Sequence, residues 1–538
     1  MAAALLAVLA AGCSTPTAGS FRPAAATAHR GGDLRVAITA PGSVDPGNDY
    51  EPAGDLVIRT MCDPLLTTDP RDGSLRPGLA ESWLVTDGGA KVVLRLRDGL
   101  RFSDGSPLTA ADVAFSLSRV ASAEFASRGA DRLALIAGYP VVHGDQPTED
   151  AAARRTLVGV RSADSRTVEI TLSRPFAEFA RLLADRLTAP VSRQAVERDP
   201  RAFARQPVCA GPYRLAGPVD AQQQVIRLVR SAAAQPADPG LTGGGLGYAD
   251  TVSFHLYPTP AAAAAALLAG EVDLAPARST DTAGVRSGTG RQVEYLGFPL
   301  TTAPFDQVVV RRALSLALSR EKLVAEVFPG TRQPAAGFLP ATTGQADRCD
   351  ALPPGGDVPA ARELLRRAGI DLRGVRAPLP YNDELRNREL VTAVAGQWQQ
   401  ALGLVAVPTP LSFPAYLAQG AQTQGFAGPF RFSWSGAGVD DYLRPLLATD
   451  AIGRDNFSRF SSATFDDVLD RQAAKAVDVA DRALAYRRAA GIACTDLPLL
   501  PLTTGLSRWL VGPAVGAAGD GWLDRSTGQP LLREVHRL

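Results

Sequence analysis

The chain has 538 residues, of which 46% are hydrophobic, so it holds enough apolar material for several compact units. Its 56 lysines and arginines nearly balance its 55 aspartates and glutamates. No basic run accumulates, which argues against a nucleic acid as a partner.

An apolar run occupies residues 2–11 and ends just before Gly12-Cys13. As a helix it would span about 15 Å, roughly half of the hydrocarbon core of a bilayer, so it suits an export signal better than a membrane span. We therefore predict an export signal at 1–12. The small residues before Cys13 resemble a bacterial lipobox, which implies that a lipidated Cys13 anchors the protein to the outer face of the cell membrane. The alternative is a simple apolar leader with an incidental cysteine.

A flexible segment and then the first regular elements are predicted after Cys13. Residues 13–31 are rich in Ser, Thr, Pro, Ala and Gly and predict a flexible tether. Alternating apolar residues predict strands at 34–38 and 91–97. Thr109 and Asp112 have the spacing of a capping box, which predicts a helix from there to about Val120.

Residues typical of helix ends also mark a later helix. Thr259 and Pro260 are typical of a helix start, Gly270 is typical of a helix end, and a strand is expected from Glu271 onward. Such helix–glycine–strand units predict an α/β protein.

Three segments follow in the second half of the chain. An apolar stripe predicts one helix from about Asp306 to Phe328, and a second helix is expected at 357–368, stopped by Gly369. The proline-marked segment 497–502 suits an extended chain that crosses between lobes better than a central strand.

The sequence contains one pattern that is typical of a catalytic site, but it is incomplete. Ser319 and Lys322 fit an S-x-x-K pattern, but the S-D-N and K-T-G companions are absent from the sequence, so Ser319 is interpreted as a helix cap. The four histidines have no metal-ligand spacing. We predict no enzyme activity, no metal and no cofactor, with a secreted serine hydrolase as the disfavoured alternative.

Four cysteines follow Cys13, and an even number in an exported protein indicates two disulfides. Three pairings are possible, and the spacing alone leaves all three open. The cysteines are Cys62, Cys209, Cys349 and Cys494.

The segment Leu75–Arg119 carries a long ordered pattern, LRPGLAESW through RDGLRFSDGSPLTAADVAFSLSR. CAGPYRL at 209–215, LLAGEVDLA at 267–275, PFDQVVVRRALSLALSREKL at 304–323, ARELLRRAG at 361–369 and DLPLLPL at 496–502 follow in order. This series resembles the bacterial extracellular solute-binding proteins of family 5, the oligopeptide, dipeptide and nickel type. The resemblance covers about residues 31–538.

The resemblance implies an α/β, two-lobed fold of the periplasmic-binding-protein type, in its large three-subdomain variant of type II. Chain crossings near 291–303 and 497–505 would form a hinge between the lobes. The implied units are a lobe I core at 31–48, 185–297 and 505–538, an appended subdomain at 49–184, and lobe II at 298–504. Within this architecture we favour the pairs Cys62–Cys209 and Cys349–Cys494, because each pair then falls within one lobe.

The resemblance also implies a ligand site near 430–442. Trp434 would be an apolar wall, and Arg431 would bind a ligand carboxylate. Asp441, followed by Tyr442, would pair with a ligand ammonium, and Asp440 is its rival. The two aspartates could instead cap a helix that begins near Tyr442.

The implied function is substrate binding for an ABC importer. The protein would be a monomer that captures di- or oligopeptides and delivers them to permease and ATPase subunits at the membrane. A nickel chelate, haem or an oligosaccharide could replace the peptide, and a surface sensor without transport is a further alternative.

Overall fold

A computed structural model describes residues 30–538 except 49–50, 71–72, 221, 235–246, 279, 282–283, 346, 437, 518–521 and 525–526. The predicted export signal at 1–12, Cys13 and most of the tether at 13–31 lie outside these residues. None of the helices in the described part combines the length and the apolar character that a bilayer span requires.

The described strands are β1 (Asp33–Ile38), β2 (Leu66–Thr68), β3 (Leu75–Pro77), β4 (Ala80–Thr86), β5 (Lys91–Leu96), β6 (Val160–Ser162), β7 (Thr167–Thr171), β8 (Tyr213–Leu215), β9 (Val225–Arg230), β10 (Thr251–Leu256), β11 (Leu274–Pro276), β12 (Val285–Gly297), β13 (Arg332–Pro334), β14 (Arg376–Asn382), β15 (Val405–Leu411), β16 (Phe430–Trp434), β17 (Leu499–Val511), β18 (Val515–Ala517) and β19 (Val535–Arg537).

The described α-helices are α1 (Pro52–Met61), α2 (Ala110–Ala121), α3 (Tyr139–His143), α4 (Phe179–Leu182), α5 (Arg193–Arg198), α6 (Pro200–Arg205), α7 (Pro260–Leu268), α8 (Val308–Leu316), α9 (Arg320–Val327), α10 (Val358–Ala368), α11 (Leu385–Leu402), α12 (Phe413–Ala421), α13 (Asp440–Leu447), α14 (Ala463–Asp467) and α15 (Val479–Asp496).

One sheet of nine strands runs through the molecule in the order β16-β12-β17-β11-β1-β10-β9-β8, with β13 also paired to β17. β1 is parallel to β10 and β11, whereas β12 and β17 are antiparallel over most of their length. A separate four-stranded sheet has the order β4-β5-β7-β6. The fold is thus α/β, as expected.

Buried side chains form separate hydrophobic clusters. One cluster, built from β12 onward, includes Tyr295, Leu314, Trp398 and Leu500. A second contains residues of the four-stranded sheet and α2, and a third contains residues of β1, α1 and β8–β10. The long strands β12 and β17 connect the first cluster to the rest of the large sheet, which gives the molecule its two lobes.

Local capping explains several helix ends. The Asp112 carboxylate accepts a hydrogen bond from the Thr109 amide at 2.9 Å, at the start of α2. Thr259 accepts from the Ala262 amide at 3.2 Å, at the start of α7, and Gly270 follows that helix with φ of 74°. These predicted helix ends are confirmed, and each agrees with the chemistry of its capping residue.

The single helix predicted over 306–328 is wrong. The chain forms α8 and α9 instead, separated by residues 317–319. The Ser319 hydroxyl accepts a hydrogen bond from the Lys322 amide at 3.3 Å and so starts a new helix where the apolar stripe continues.

The prediction that 497–502 is not part of a central strand is also wrong. Residues from Leu499 onward belong to β17, which has β12 on one side and β11 and β13 on the other. Pro501, which has no amide N–H to donate, pairs opposite Tyr295 next to an irregularity in the register.

Both favoured disulfides are confirmed. Cys62 at the end of α1 is bonded to Cys209, and Cys349 is bonded to Cys494 in α15. The bonded cysteines are 147 and 145 positions apart, so each bond links segments that are distant in sequence.

Candidate functional site

A cavity of about 1040 Å³ lies where the long strands β12 and β17 pass between the lobes. Ile38, Leu56 and Trp509, from the cluster around β1, line one side. Residues of α12, β13 and β16 line the other side. A cavity of this size lies at the upper end of the sizes typical of pockets that bind small molecules.

Three charged residues lie together in one wall of the cavity. Glu294 on β12 is buried, and its carboxylate forms an ion pair with Arg332 on β13 at 2.9 Å and a second with Arg431 on β16. We call these residues the Arg332–Glu294–Arg431 triad. Two guanidiniums share one carboxylate here, so the triad carries an excess positive charge.

The two arginines are held from several directions. The Arg431 Nη1 donates to the Asn382 side-chain oxygen at 2.8 Å. Arg332 donates to the Gln292 side chain, and its guanidinium carbon lies 4.8 Å from the centroid of the Phe328 ring. Burial lowers the pKa of Arg332, and the like charge of Arg431 acts in the same direction.

Each arginine of the triad has one buried nitrogen without a partner among the residues that the structure describes. These nitrogens are the Arg431 Nε and the Arg332 Nη1. A buried donor that lacks a partner costs about 1–3 kcal/mol, so these two groups lower the stability of the folded triad.

An apolar region lines another part of the cavity. Phe413 and Leu417 lie one turn apart on α12 and are 59% and 40% exposed. Tyr416 and Phe457 lie behind them in an aromatic cluster. These side chains offer a surface for an apolar part of a ligand.

Two other carboxylates line the cavity. Glu384 accepts a hydrogen bond from the Asn382 side chain at 3.0 Å. Burial raises the pKa of Asp455, which lies close to Phe457 in sequence and lines the same cavity.

The predicted site residues divide into two groups. Arg431 and Trp434 line the cavity, whereas Asp440, Asp441 and Tyr442 are not part of its described lining. The two groups meet where the Trp434 indole N–H donates to the Asp441 backbone carbonyl at 2.6 Å.

Asp440 and Asp441 form the first turn of α13, which begins at Asp440 rather than near Tyr442. Asp440 is buried and its carboxylate pairs with Arg444 at 2.9 Å. Asp441 is exposed, and its carboxylate accepts a hydrogen bond from the Gly438 amide at 3.0 Å. The buried Tyr442 hydroxyl donates to the Arg291 carbonyl on β12.

Sequence reasoning missed Glu294 and Arg332. Glu294 does carry a signal, because it is a charged residue inside the apolar run Val293–Phe298. A carboxylate in such a run has to be paired when it is buried, and that requirement marks it as a candidate. Arg332 follows a turn and has no comparable signal.

No cluster of His, Cys, Asp and Glu side chains in the described residues could hold a metal ion. The Ser319 hydroxyl is engaged as the cap of α9.

A family model described as bacterial extracellular solute-binding proteins, family 5 Middle, matches residues 74–453. The chain belongs to family 5 of the bacterial extracellular solute-binding proteins. Members of this family are extracytoplasmic transport receptors and not enzymes, and the protein is therefore a substrate-binding protein of the ABC-transporter type.

Two curated relatives of this family 5 protein match it over most of their length. It is 28% identical over 483 residues to the probable deoxycholate-binding periplasmic protein YgiS of Escherichia coli K12, covering 86% of each chain. It is 27% identical over 478 residues to the glutathione-binding protein GsiB of Escherichia coli K12, again covering 86% of each chain.

The solved structure of the periplasmic murein tripeptide binding protein MppA, in an unliganded open form, superposes with a TM-score of 0.79 at 23% identity. The match covers 94% of this chain and 97% of that chain. This likeness confirms the two-lobed fold that the sequence predicts for a family 5 protein.

Proposed function

We propose that the protein captures a peptide or peptide-like ligand in the cavity between its lobes and delivers it to the permease and ATPase subunits of an ABC importer. The observation that carries the proposal is the cavity itself, lined from both lobes and bounded on one wall by the Arg332–Glu294–Arg431 triad. In the cell, a lipidated Cys13 holds the receptor as a monomer at the outer face of the membrane.

The hinge of this receptor is formed by β12 and β17. The pairing of these two strands is interrupted between Thr289 and Val293. On one side of the interruption β17 pairs with β11, and on the other side β12 pairs with β16. Rotation at this interruption would bring the lobes together around a ligand. The lobe boundaries that go with this hinge are those implied by the family resemblance.

Within the site, Arg431 binds a ligand carboxylate and Trp434 provides an apolar wall. Asp441 is the proposed partner of the ligand ammonium. It lies outside the cavity lining, but its backbone carbonyl accepts the indole N–H of Trp434, which does line the cavity. Asp440 is the weaker candidate since its carboxylate is already paired with Arg444. Tyr442 supports the site by linking α13 to β12.

The experiment that tests this function is a thermal-shift screen of free di- to pentapeptides, followed by small-angle scattering with each binder. A ligand at about a hundred times its dissociation constant stabilises the protein by about 2.7 kcal/mol. We expect binders to lower the radius of gyration. A protein that no peptide stabilises or contracts would overturn peptide capture.

Asp441→Ala tests the ammonium assignment. We expect this variant to lose at least tenfold in affinity for free peptides, because a buried ammonium would lack its carboxylate partner. N-acetylated peptides should bind the two proteins equally, and calorimetry measures both. Equal affinity of Asp441→Ala and the wild type for free peptides would contradict the role of Asp441.

A non-peptide ligand is the second candidate. The exposed side chains of Phe413 and Leu417 would suit a larger apolar ligand. The printed name of YgiS describes a probable deoxycholate-binding protein, so deoxycholate belongs in the same screen. Stabilisation and contraction with deoxycholate alone would favour this candidate over peptides.

A further inference from the structure

Two large apolar side chains in the cavity are open to solvent. Phe413 and Leu417 are 59% and 40% exposed, and of the exposed large apolar side chains in the described residues only these two line the cavity. They lie four positions apart on α12 and therefore share one face of that helix. Exposed apolar side chains that lie together in a cavity mark a ligand-binding surface.

The helix that carries this pair is anchored from behind. Tyr416 is buried, and its hydroxyl donates to the Arg431 carbonyl at 2.7 Å. A Cβ atom at Gly420 would lie 2.7 Å from the Phe457 ring, so the helix rests directly on that ring. Because α12 is anchored in this way, the two exposed side chains are held at the cavity before a ligand arrives, which lowers the entropy lost on binding.

The other lobe contributes apolar surface to the same cavity. Pro52, Pro260, Pro276 and Leu506 line it from predicted lobe I, and each is exposed or partly exposed. A ligand group between α12 and these residues would contact apolar side chains of both lobes. Rotation at the hinge would remove that group and both surfaces from water, and the gain is roughly proportional to the apolar area buried.

We propose that Phe413 and Leu417 form a specificity-determining subsite of the cavity, and that this subsite selects ligands with a bulky apolar group. The proposal rests on the proposed function and names the class of ligand within it. The apolar group is either a large side chain of a peptide or the ring system of a steroid acid, since both present the same chemistry to α12.

The test uses alanine peptides of the lengths in the screen, with one phenylalanine placed at each position in turn. Calorimetry compares each of them with the all-alanine peptide of the same length, and deoxycholate is measured beside them. We expect phenylalanine at one or more positions to raise the affinity roughly tenfold. This factor corresponds to about 1.4 kcal/mol, which is less than the burial of one phenylalanine side chain contributes.

The double variant Phe413→Gln/Leu417→Gln removes the apolar surface and keeps side chains of substantial length. We expect the preference for phenylalanine to fall about fivefold or more, and the all-alanine peptides to bind within about twofold of the wild type. Leu484→Gln is the matched control, since Leu484 on α15 is 61% exposed but is not part of the described cavity lining. This control should keep the preference of the wild type.

The double variant also separates the two sources of the apolar group. Weaker binding of the phenylalanine peptides alone assigns the subsite to a peptide side chain, and weaker binding of deoxycholate alone assigns it to a steroid. If the folded double variant binds both kinds of ligand as the wild type does, the subsite is overturned while ligand capture stands.

Lobe I itself is the rival occupant of the apolar face of α12. If lobe I covers this face without a ligand, the ligand-free double variant should have a larger radius of gyration than the ligand-free wild type, and the subsite is overturned. Equal radii support a ligand as the occupant. If neither peptides nor deoxycholate bind the wild type, the proposed function fails and the subsite proposal fails with it.

Discussion

The buried carboxylate of Asp440 makes the stability of this protein depend on pH. Burial raises its pKa to about 6, the nearby Glu178 and Asp441 act in the same direction, and Arg444 opposes them. One oxygen of Asp440 is buried without a hydrogen-bond partner. The folded state therefore binds this proton more tightly than the unfolded chain does.

The sign of the pH effect follows from that raised pKa. The stabilising contribution of Asp440 is fully present below about pH 4 and is lost as the pH rises through about 6. A change from 3.8 to about 6 corresponds to about 3 kcal/mol.

Asp440→Asn should remove this pH dependence because Asn does not titrate. We expect the free energy of unfolding of the variant, relative to the wild type, to rise by up to about 3 kcal/mol between pH 4 and pH 7. Urea unfolding across this pH range measures the difference. Parallel stability curves for the two proteins would contradict the raised pKa.

At the residue scale, the sequence predicted part of the site. Arg431 and Trp434 were expected near the ligand, and both line the cavity. Glu294 and Arg332 were missed because they come from strands that are distant in sequence and meet only in the folded sheet. A motif reports neighbours along the chain, whereas the triad is defined by neighbours across the sheet.

At the element scale, capping residues predicted where helices begin, but the apolar pattern did not predict where a helix is interrupted. Thr109, Thr259 and Asp357 begin helices as expected, because a capping side chain acts within one turn. The break between α8 and α9 was missed since the apolar stripe continues across it. The strand character of β17 was missed because proline is rare in a central strand, and the irregular register beside Pro501 is not visible in the sequence.

Strands β12 and β17 also provide a prediction about the proposed hinge. A Cβ atom at Gly290 would lie 3.1 Å from the Gly505 backbone carbonyl group, closer than ordinary contact. We expect Gly290→Ala to lower the free energy of unfolding by about 1–3 kcal/mol, because the facing backbone has to move.

Gly288 on the same strand is the matched control for Gly290. A Cβ atom at Gly288 would meet the Leu523 side chain at 3.6 Å, which is ordinary contact. Gly288→Ala should therefore change the stability by no more than about 0.5 kcal/mol in thermal or urea unfolding. Equal effects of the two substitutions would show that the approach of Gly290 to Gly505 is not the cause.

At the scale of the whole molecule, the lobes touch at a second place besides β12 and β17. The Ala177 amide donates to the Ala474 carbonyl at 2.7 Å, and the Tyr486 hydroxyl donates to Glu178 at 2.6 Å. Ala177 and Glu178 lie in the predicted appended subdomain of lobe I. Ala474 and Tyr486 lie in predicted lobe II. No pattern in the sequence could predict a contact between residues 308 positions apart.

This second contact depends on a buried carboxylate with few donors. Glu178 is 9% exposed, and besides Tyr486 it has Arg181 at 3.5 Å. Gly438 lies against it, since a Cβ atom there would be 3.1 Å from the Glu178 carboxylate. Loss of the Tyr486 hydroxyl would leave a buried oxygen without its donor, at a cost of about 1–3 kcal/mol.

Tyr486→Phe should therefore loosen the docking of the two lobes while leaving each lobe folded. We expect faster hydrogen exchange at the Ala177 amide, because its acceptor Ala474 lies across the same contact. Tyr295→Phe is the matched control: Tyr295 is also buried and donates to the Phe338 carbonyl at 2.7 Å, but within a single cluster. It should cost stability without changing exchange at Ala177. Unchanged exchange at Ala177 in Tyr486→Phe would mean that the strands alone hold the lobes in this arrangement.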